Sequence, residues 1–177
     1  MRTHLTIMLA AAALAGCGTT AQTNTAALAP KTDEGPSEQD RAWMSTIHGG
    51  NLAEIQAGRL AEGKGTTKRI KSIGKMLVED HTKLDVKVTQ AASQLGVQLP
   101  TSPSPEQQAE LTRMRDATGK DFDADFLAAM TKEHTAAMAA TRTELSEGSS
   151  NAVKALAKTA VPALQQHLTA LRKAHGE

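Results

Sequence analysis

The chain has 177 residues, of which 40% are hydrophobic and 22% charged, and its formal net charge at pH 7 is +1. This length fits one domain with a tail, and so small a net charge argues against nucleic-acid binding through bulk electrostatics. Aromatic side chains make up only 2% of the residues. The core must therefore consist of aliphatic side chains, methionine and alanine, which favours closely packed helices over a sheet. A single cysteine allows no internal disulfide.

The first predicted element is a lipoprotein signal peptide over residues 1–16. Arg2 and His4 precede the apolar run Leu5–Leu14, which has half of the roughly twenty residues that a membrane-spanning helix needs. The sequence Leu-Ala-Gly then leads into Cys17 and resembles the lipobox of bacterial lipoproteins. That resemblance implies cleavage before Cys17 and lipid on its sulfur and new amino terminus, where two or more acyl chains anchor stably. The alternative is a plain secretory peptide with an incidental cysteine.

A flexible tether is predicted over residues 17–36, between the lipidated Cys17 and a folded domain over residues 37–175. Its composition of Thr, Ala, Gln, Asn and Pro shows no apolar period. Gly18 follows the cysteine, which by the sorting rule of such lipoproteins implies the outer membrane, facing the periplasm, in bacteria with two membranes. We therefore expect a cell-envelope protein whose partner is a membrane through the lipid anchor. Nucleic acid is not expected as a partner, and the sequence identifies no protein or envelope partner.

Four long amphipathic helices and one short helix are predicted by apolar side chains that recur at the helical period. The predicted bounds are Ser37–Glu62, Thr66–Leu95, Ser104–Ala117, Asp121–Glu147 and Asn151–Ala174. The short helix begins with a serine N-cap, a proline at the first helical position and a glutamine three residues after the cap. It is expected to cross over between two helical hairpins. The pattern therefore predicts an all-α four-helix bundle with a short crossover helix.

Each long helix carries one ionisable side chain on its apolar face. These side chains are Glu54, His81, His134 and His167. Counted from the hairpin turns, the first two differ in depth by about 9 Å of helix rise and the last two by about 6 Å. Because burial without partners is costly for such groups, we expect them to meet in one polar layer. His48 lies at a similar depth toward the flank, and Asp80 and Glu133 flank the layer as further candidates.

The expected polar layer permits three interpretations. Three neutral imidazoles and the carboxylate of Glu54 form a reasonable ligand set for zinc, copper or iron. The same side chains can instead form a hydrogen-bonded layer that fixes the helix register without binding anything. In the third interpretation the histidines simply reach the surface. All three stay open on the sequence alone, and a transition-metal ion is the only cofactor that it supports.

Five short motifs occur in an order that resembles a known family. They are Gly50-Asn51-x-x-Glu54-Ile55, Glu79-Asp80-His81, Gly119-x-x-Phe122-Asp123, Glu133-His134 and Pro162-x-Leu164-x-x-His167-Leu168. This pattern resembles DUF4142, a domain of unknown function in the bacterial envelope that is related to the ferritin-like superfamily. The resemblance covers Ser37–Ala174 and implies a ferritin-like four-helix bundle in a secreted or lipid-anchored protein. It implies no established activity.

The ferritin-like comparison also implies a test for a di-iron centre. Di-iron and di-manganese members carry a Glu-x-x-His pair on each of two helices. Three residues before its buried-face histidines this chain has Val78, Thr131 and Leu164. The missing carboxylates disfavour a ferroxidase or a di-iron oxygenase. A site for a single metal ion does not require these pairs and stays possible.

Our prediction is therefore a cell-envelope lipoprotein whose bundle acts as a non-catalytic binding, structural or stress-related protein. The first alternative is a metal-binding protein that uses the three histidines and Glu54 for storage, buffering or stress tolerance. The second alternative is a metal-dependent redox enzyme, which the missing carboxylates make the least favoured of the three.

Overall fold

The computed structural model describes residues 35–176, which form five helices and no strand. The helices are α1 (Glu38–Lys64), α2 (Lys68–Leu95), α3 (Pro105–Asp116), α4 (Gly119–Glu147) and α5 (Asn151–His175). Every boundary lies at most two residues from the predicted one, and the all-α prediction is confirmed. The predicted signal peptide, the lipidation of Cys17 and the tether as far as residue 34 lie outside the described residues.

Local sequence sets the helix ends. At the start of α1, the backbone N–H of Ser37 donates to Asp40 Oδ2 at 2.7 Å, and the N–H of Asp40 donates to Ser37 Oγ at 3.2 Å. The predicted capping box of Ser104 and Gln107 at the start of α3 is confirmed, with 2.9 Å between Ser104 N and Gln107 Oε1. Gly96 ends α2 with a φ of 64°, a left-handed conformation that glycine adopts without strain.

The four long helices pack as two hairpins placed side by side. α1 pairs with α2 and α4 pairs with α5, while contacts of α1 with α4 and of α2 with α5 join the hairpins. The short α3 packs against α1 and α4, as expected of a crossover segment. Among residues 35–176, no helix combines the length and the apolar character that crossing a membrane requires. Each long helix thus packs mainly against two other long helices, and the four enclose a common interior.

Two glycines let α1 and α2 approach closely. A Cβ atom on Gly58 would lie 2.7 Å from the carbonyl oxygen of Gly74 and 2.8 Å from Val78 Cγ2. A Cβ atom on Gly74 would lie 2.6 Å from the carbonyl oxygen of Gly58. Any side chain at either position would therefore push the two helices apart. Glu54 lies one turn before Gly58 and His81 two turns after Gly74, so this close contact helps to set the distance between them.

The apolar core is divided by a polar layer. One large cluster of buried apolar side chains includes Phe122 and Phe126, and the other includes Trp43 and Val88. The predicted ionisable positions lie between these clusters on all four long helices. Because both sides of the layer are apolar, its polar groups must find their partners within the layer itself.

Candidate metal centre

Three histidines from three helices meet inside the bundle. His81 lies on α2, His134 on α4 and His167 on α5, and none of them is more than 1% exposed. Their ring centroids are 5.1 to 5.2 Å apart. The structure therefore brings together the three histidines that the sequence placed on apolar faces, and they do not reach the surface.

One nitrogen of each ring points toward the other two rings. His81 Nε2 lies 3.3 Å from His134 Nε2, which lies 3.0 Å from His167 Nδ1. One nitrogen from each of the three rings lies within 4.8 Å of the others. We call His81 Nε2, His134 Nε2 and His167 Nδ1 the inner nitrogens.

The carboxylate of Glu54 bridges the outer nitrogens of two of these rings. Glu54 Oε2 lies 3.1 Å from His81 Nδ1, and Glu54 Oε1 lies 3.0 Å from His134 Nδ1. His81 Nδ1 also lies 2.9 Å from Asn51 Oδ1, and His134 Nδ1 lies 2.9 Å from the carbonyl oxygen of Met130. The sequence predicted Glu54 as a ligand beside the histidines. In the structure its two oxygens contact the outer nitrogens instead, so that Glu54 holds the rings rather than joining the inner nitrogens.

Asp80 holds the third ring in the same way. Asp80 Oδ2 lies 3.1 Å from His167 Nε2, while Asp80 Oδ1 lies 3.4 Å from Lys83 Nζ. Asp80 was predicted only as a flanking candidate, and the structure makes it the outer partner of His167. Each of the three rings thus has an oxygen acceptor on its outer nitrogen.

These outer contacts fix which nitrogen of each neutral ring carries hydrogen. Carboxylate, amide and carbonyl oxygens accept hydrogen bonds, so every outer nitrogen must donate. A neutral imidazole has one N–H, and its other nitrogen then presents a lone pair. The three inner nitrogens then all carry lone pairs. His134 Nε2 lies 3.3 Å from His81 Nε2 and 3.0 Å from His167 Nδ1, so these lone pairs point at one another. Such an arrangement is repulsive unless a proton or a metal cation lies between the nitrogens.

The orientation of Asn51 is itself fixed by a neighbour. Asn51 Nδ2 donates to Asp85 Oδ1 at 3.2 Å, which directs the amide oxygen of Asn51 toward His81. His48 Nδ1 lies 2.7 Å from the same Asp85 oxygen. The predicted flanking candidate His48 therefore lies three contacts from the ring of His81, through Asp85 and Asn51. Asn51 belongs to the first of the five motifs, but the sequence predicted no role for it, although an amide one turn before Glu54 was an available signal.

Glu133, the remaining flanking candidate, lines the same small cavity as Glu54. It is half-buried and accepts a hydrogen bond from Gln107 Nε2 at 3.0 Å. Burial raises the pKa of Glu133, and the nearby charge of Glu54 raises it further. Glu133, Glu54 and His81 line a cavity of about 50 Å³, which has room for a few water molecules at most.

Burial and charge give the three histidines different pKa values. Burial lowers the pKa of His81 to about 4 and also lowers the pKa of His167. Burial alone would lower the pKa of His134 as well, but the charge and hydrogen bond of Glu54 outweigh it and raise that pKa. Burial alone would raise the pKa of Glu54, but His134 and His81 outweigh it and lower that pKa to about 2. In the absence of a metal, His134 is therefore the ring of the cluster that takes up an additional proton most readily.

The fold and the site define an all-helical bundle with a buried tri-histidine cluster. The chain belongs to the family described as "Domain of unknown function (DUF4142)", whose model matches residues 25–174. This match confirms the resemblance that the five motifs indicated.

The fold is also similar to that of a solved structure. The crystal structure of a DUF305 fragment from Deinococcus radiodurans superposes with a TM-score of 0.71 over 80% of this chain and 98% of that chain. The two sequences are 14% identical, so the similarity shows the fold alone. A comparison with curated proteins finds no significant match.

Proposed function

We propose that this protein binds one divalent transition-metal ion through His81 Nε2, His134 Nε2 and His167 Nδ1. The observation that carries the proposal is the convergence of the three inner nitrogens, on rings whose outer nitrogens all donate to oxygen. Metal-binding histidines commonly donate their other N–H to a carboxylate or a carbonyl, which fixes the ring and makes the ligand more basic. The buried cluster has this feature on all three rings.

The distances between the inner nitrogens support the same proposal. Zinc–nitrogen bonds of about 2.0 Å at tetrahedral angles separate two ligand nitrogens by about 3.3 Å. The two close contacts of 3.3 and 3.0 Å agree with that separation. The third pair, His81 Nε2 and His167 Nδ1, lies within 4.8 Å and would have to move closer around a bound ion.

The charges around the cluster favour a divalent ion. Glu54 and Asp80 are both ionised, since the pKa of each carboxyl is lowered by its histidine partners despite burial. Two negative charges beside three neutral rings offset a charge of +2 on an ion between them. Imidazole ligands suit zinc, copper, iron and nickel, whereas calcium and magnesium prefer oxygen. We therefore infer a first-row transition metal, held without catalysis for storage, buffering or stress tolerance.

The setting that we propose is the bacterial cell envelope. The Leu-Ala-Gly-Cys sequence at the end of the apolar run supports lipidation of Cys17 and a tether that carries the domain. Gly18 supports the outer membrane in bacteria with two membranes. The pairing of the four long helices supports a ferritin-like four-helix bundle. Replacing Cys17 with Ala tests the anchor: release from membranes is expected, and a Cys17→Ala chain that stays membrane-bound would contradict it.

A second candidate is a structural polar layer that binds no metal. The raised pKa of His134 favours it, because a proton on His134 Nε2 can also satisfy the neighbouring inner nitrogens. In this case Glu54 and protonated His134 form a buried ion pair that fixes the register of the helices.

Metal titration of the full chain, purified without a histidine tag and stripped with a chelator, separates the two candidates. The proposal predicts one zinc, cobalt or copper(II) ion per chain and a clear rise in melting temperature. The variant His134→Gln should lose both effects. The matched control His175→Gln, at an exposed position near the end of α5, should keep them. If the wild-type chain binds less than one metal ion and its melting temperature does not rise, the metal proposal is contradicted and the structural polar layer is favoured.

A further inference from the structure

A cleft between α2 and α5 reaches the tri-histidine cluster from the surface. It has a volume of about 330 Å³, and His81 and His167 are among the residues that line it. His134, which is fully buried, is not among them. The cleft is at the lower end of the volumes typical of small-ligand pockets. The cavity beside Glu54, at about 50 Å³, is too small for more than water.

The side chains of the cleft combine positive charge with an apolar wall. Lys83 and Lys87 lie one helical turn apart on α2, and Leu84, Pro162 and Ala163 provide accessible apolar surface. The carboxylate of Asp80 also lines the cleft and is paired with Lys83 at 3.4 Å, so these two charges offset each other. Lys87 has no ion-pair or hydrogen-bond partner within residues 35–176 and is exposed. An anion with a short hydrocarbon body would therefore find both a charge partner and an apolar contact here.

We propose that this cleft binds a small carboxylate, which supplies the fourth ligand of the bound metal ion. The inference rests on the proposed metal site. Three imidazoles leave a tetrahedral ion one open position. In this proposal that position faces the cleft, which His81 and His167 line and His134 does not. The carboxylate binds the ion through one oxygen, Lys87 offsets its charge, and its hydrocarbon body contacts Leu84 and Ala163.

Cobalt(II) makes this ligand visible, because its absorption bands respond to a change of ligand. The full chain is first loaded with one cobalt ion and then titrated with acetate, with butyrate and, as an uncharged control, with acetamide. We expect acetate and butyrate to change the cobalt spectrum saturably and acetamide to leave it unchanged. Each methylene buried against the apolar wall should tighten binding about fourfold.

Two variants locate the carboxylate in the cleft. Lys87→Gln should weaken butyrate binding by about threefold, and Ala163→Phe, which fills the cleft, should abolish it. Both variants should still take up one cobalt ion. The matched control Lys71→Gln changes an exposed lysine of α2 outside the cleft and should bind butyrate like the wild-type chain.

The outcomes separate the two proposals. Failure of the wild-type chain to bind cobalt would overturn both the metal site and the carboxylate site. Cobalt binding without a spectral response to carboxylates would overturn the carboxylate site alone. Butyrate binding by Lys87→Gln and Ala163→Phe that is as tight as in the wild-type chain would also overturn the carboxylate site and leave the metal site standing.

Discussion

Glu54 Oε1 lies 3.0 Å from Nδ1 of His134, and neither side chain is more than 4% exposed. Removing the charge of Glu54 should therefore disturb both the fold and the metal site. In Glu54→Gln, we expect the protein to lose about 1–3 kcal/mol of stability, because a charge-assisted buried hydrogen bond is weakened. Zinc affinity should fall about 10–100-fold, as for other groups that hold metal-binding histidines. Chemical denaturation and calorimetric titration measure the two effects.

A surface carboxyl provides the control for that substitution. Glu79 is exposed and its Oε1 lies 3.8 Å from Lys75 Nζ. Glu79→Gln should change stability by at most about 0.5 kcal/mol and leave zinc affinity unchanged. Equal effects of the two substitutions would mean that Glu54 has no special role in the cluster.

Below the pKa of His134, metal binding should release the proton that this ring carries in the metal-free cluster. The pKa of His134 is raised by Glu54 against the effect of burial, so below that pKa the ion must displace a proton from the inner nitrogen. Affinity should therefore fall as the pH is lowered through the pKa of His134. Calorimetric titration at pH 6 in two buffers with different ionisation enthalpies should report release of about one proton per ion. An observed enthalpy that does not depend on the buffer would contradict this prediction.

A pair of buried carboxyl groups, Asp40 and Glu144, should make the stability of the protein depend on pH. Asp40 Oδ2 accepts hydrogen bonds from Ser37 Oγ at 2.6 Å and from Ser149 Oγ at 2.9 Å, and Asp40 Oδ1 accepts from the N–H of Ser150 at 3.1 Å. Glu144, which is fully buried, lies beside it. Burial, reinforced by Asp40, raises the pKa of Glu144 to about 7.

The sign of the resulting pH dependence follows from linkage. The unfolded chain loses the Glu144 proton near the ordinary pKa of 4.5, whereas the folded chain keeps it to about pH 7. The stability contributed by this group is thus complete below pH 4.5 and is lost as the pH rises to about 7. Glu144→Gln, an uncharged mimic of the protonated acid, should raise the melting temperature relative to wild type at pH 8 and not at pH 4. An equal difference at both pH values would contradict this account.

The close contact between α1 and α2 should tolerate no side chain at Gly58. In Gly58→Ala the new Cβ atom would meet the carbonyl oxygen of Gly74 at 2.7 Å, so the helices must separate. We expect a loss of about 1–3 kcal/mol of stability from overpacking, together with weaker zinc binding. Gly50→Ala is the matched control, because nothing lies within 4 Å of a Cβ atom there and alanine favours the helix by about 1 kcal/mol. Equal stability of the two variants, measured by urea denaturation, would contradict the prediction.

Much of the fold could be predicted because it depends on local pattern. Apolar periodicity indicated the five helices, and the Ser104–Gln107 spacing indicated the start of the short one. The meeting of His81, His134 and His167 followed from their positions on apolar faces and from helix rise, which needs no side-chain detail.

The parts that could not be predicted depend on contacts between distant residues. Periodicity places Glu54 on the interior face but does not decide which ring nitrogens its oxygens contact. The chain of contacts from His48 through Asp85 to Asn51 spans two helices, and Asp40 meets Ser149 from 109 positions away. Such pairings depend on how the hairpins are placed side by side, which helix spacing alone does not determine.

The central claim is that three histidines hold one metal ion, and X-ray absorption of the zinc-loaded full chain tests it most directly. We predict three imidazole nitrogens at about 2.0 Å from zinc and one further light ligand. In the His167→Gln chain one imidazole should disappear from this set. A coordination sphere dominated by carboxylate or water oxygens, or one that His167→Gln leaves unchanged, would contradict the claim.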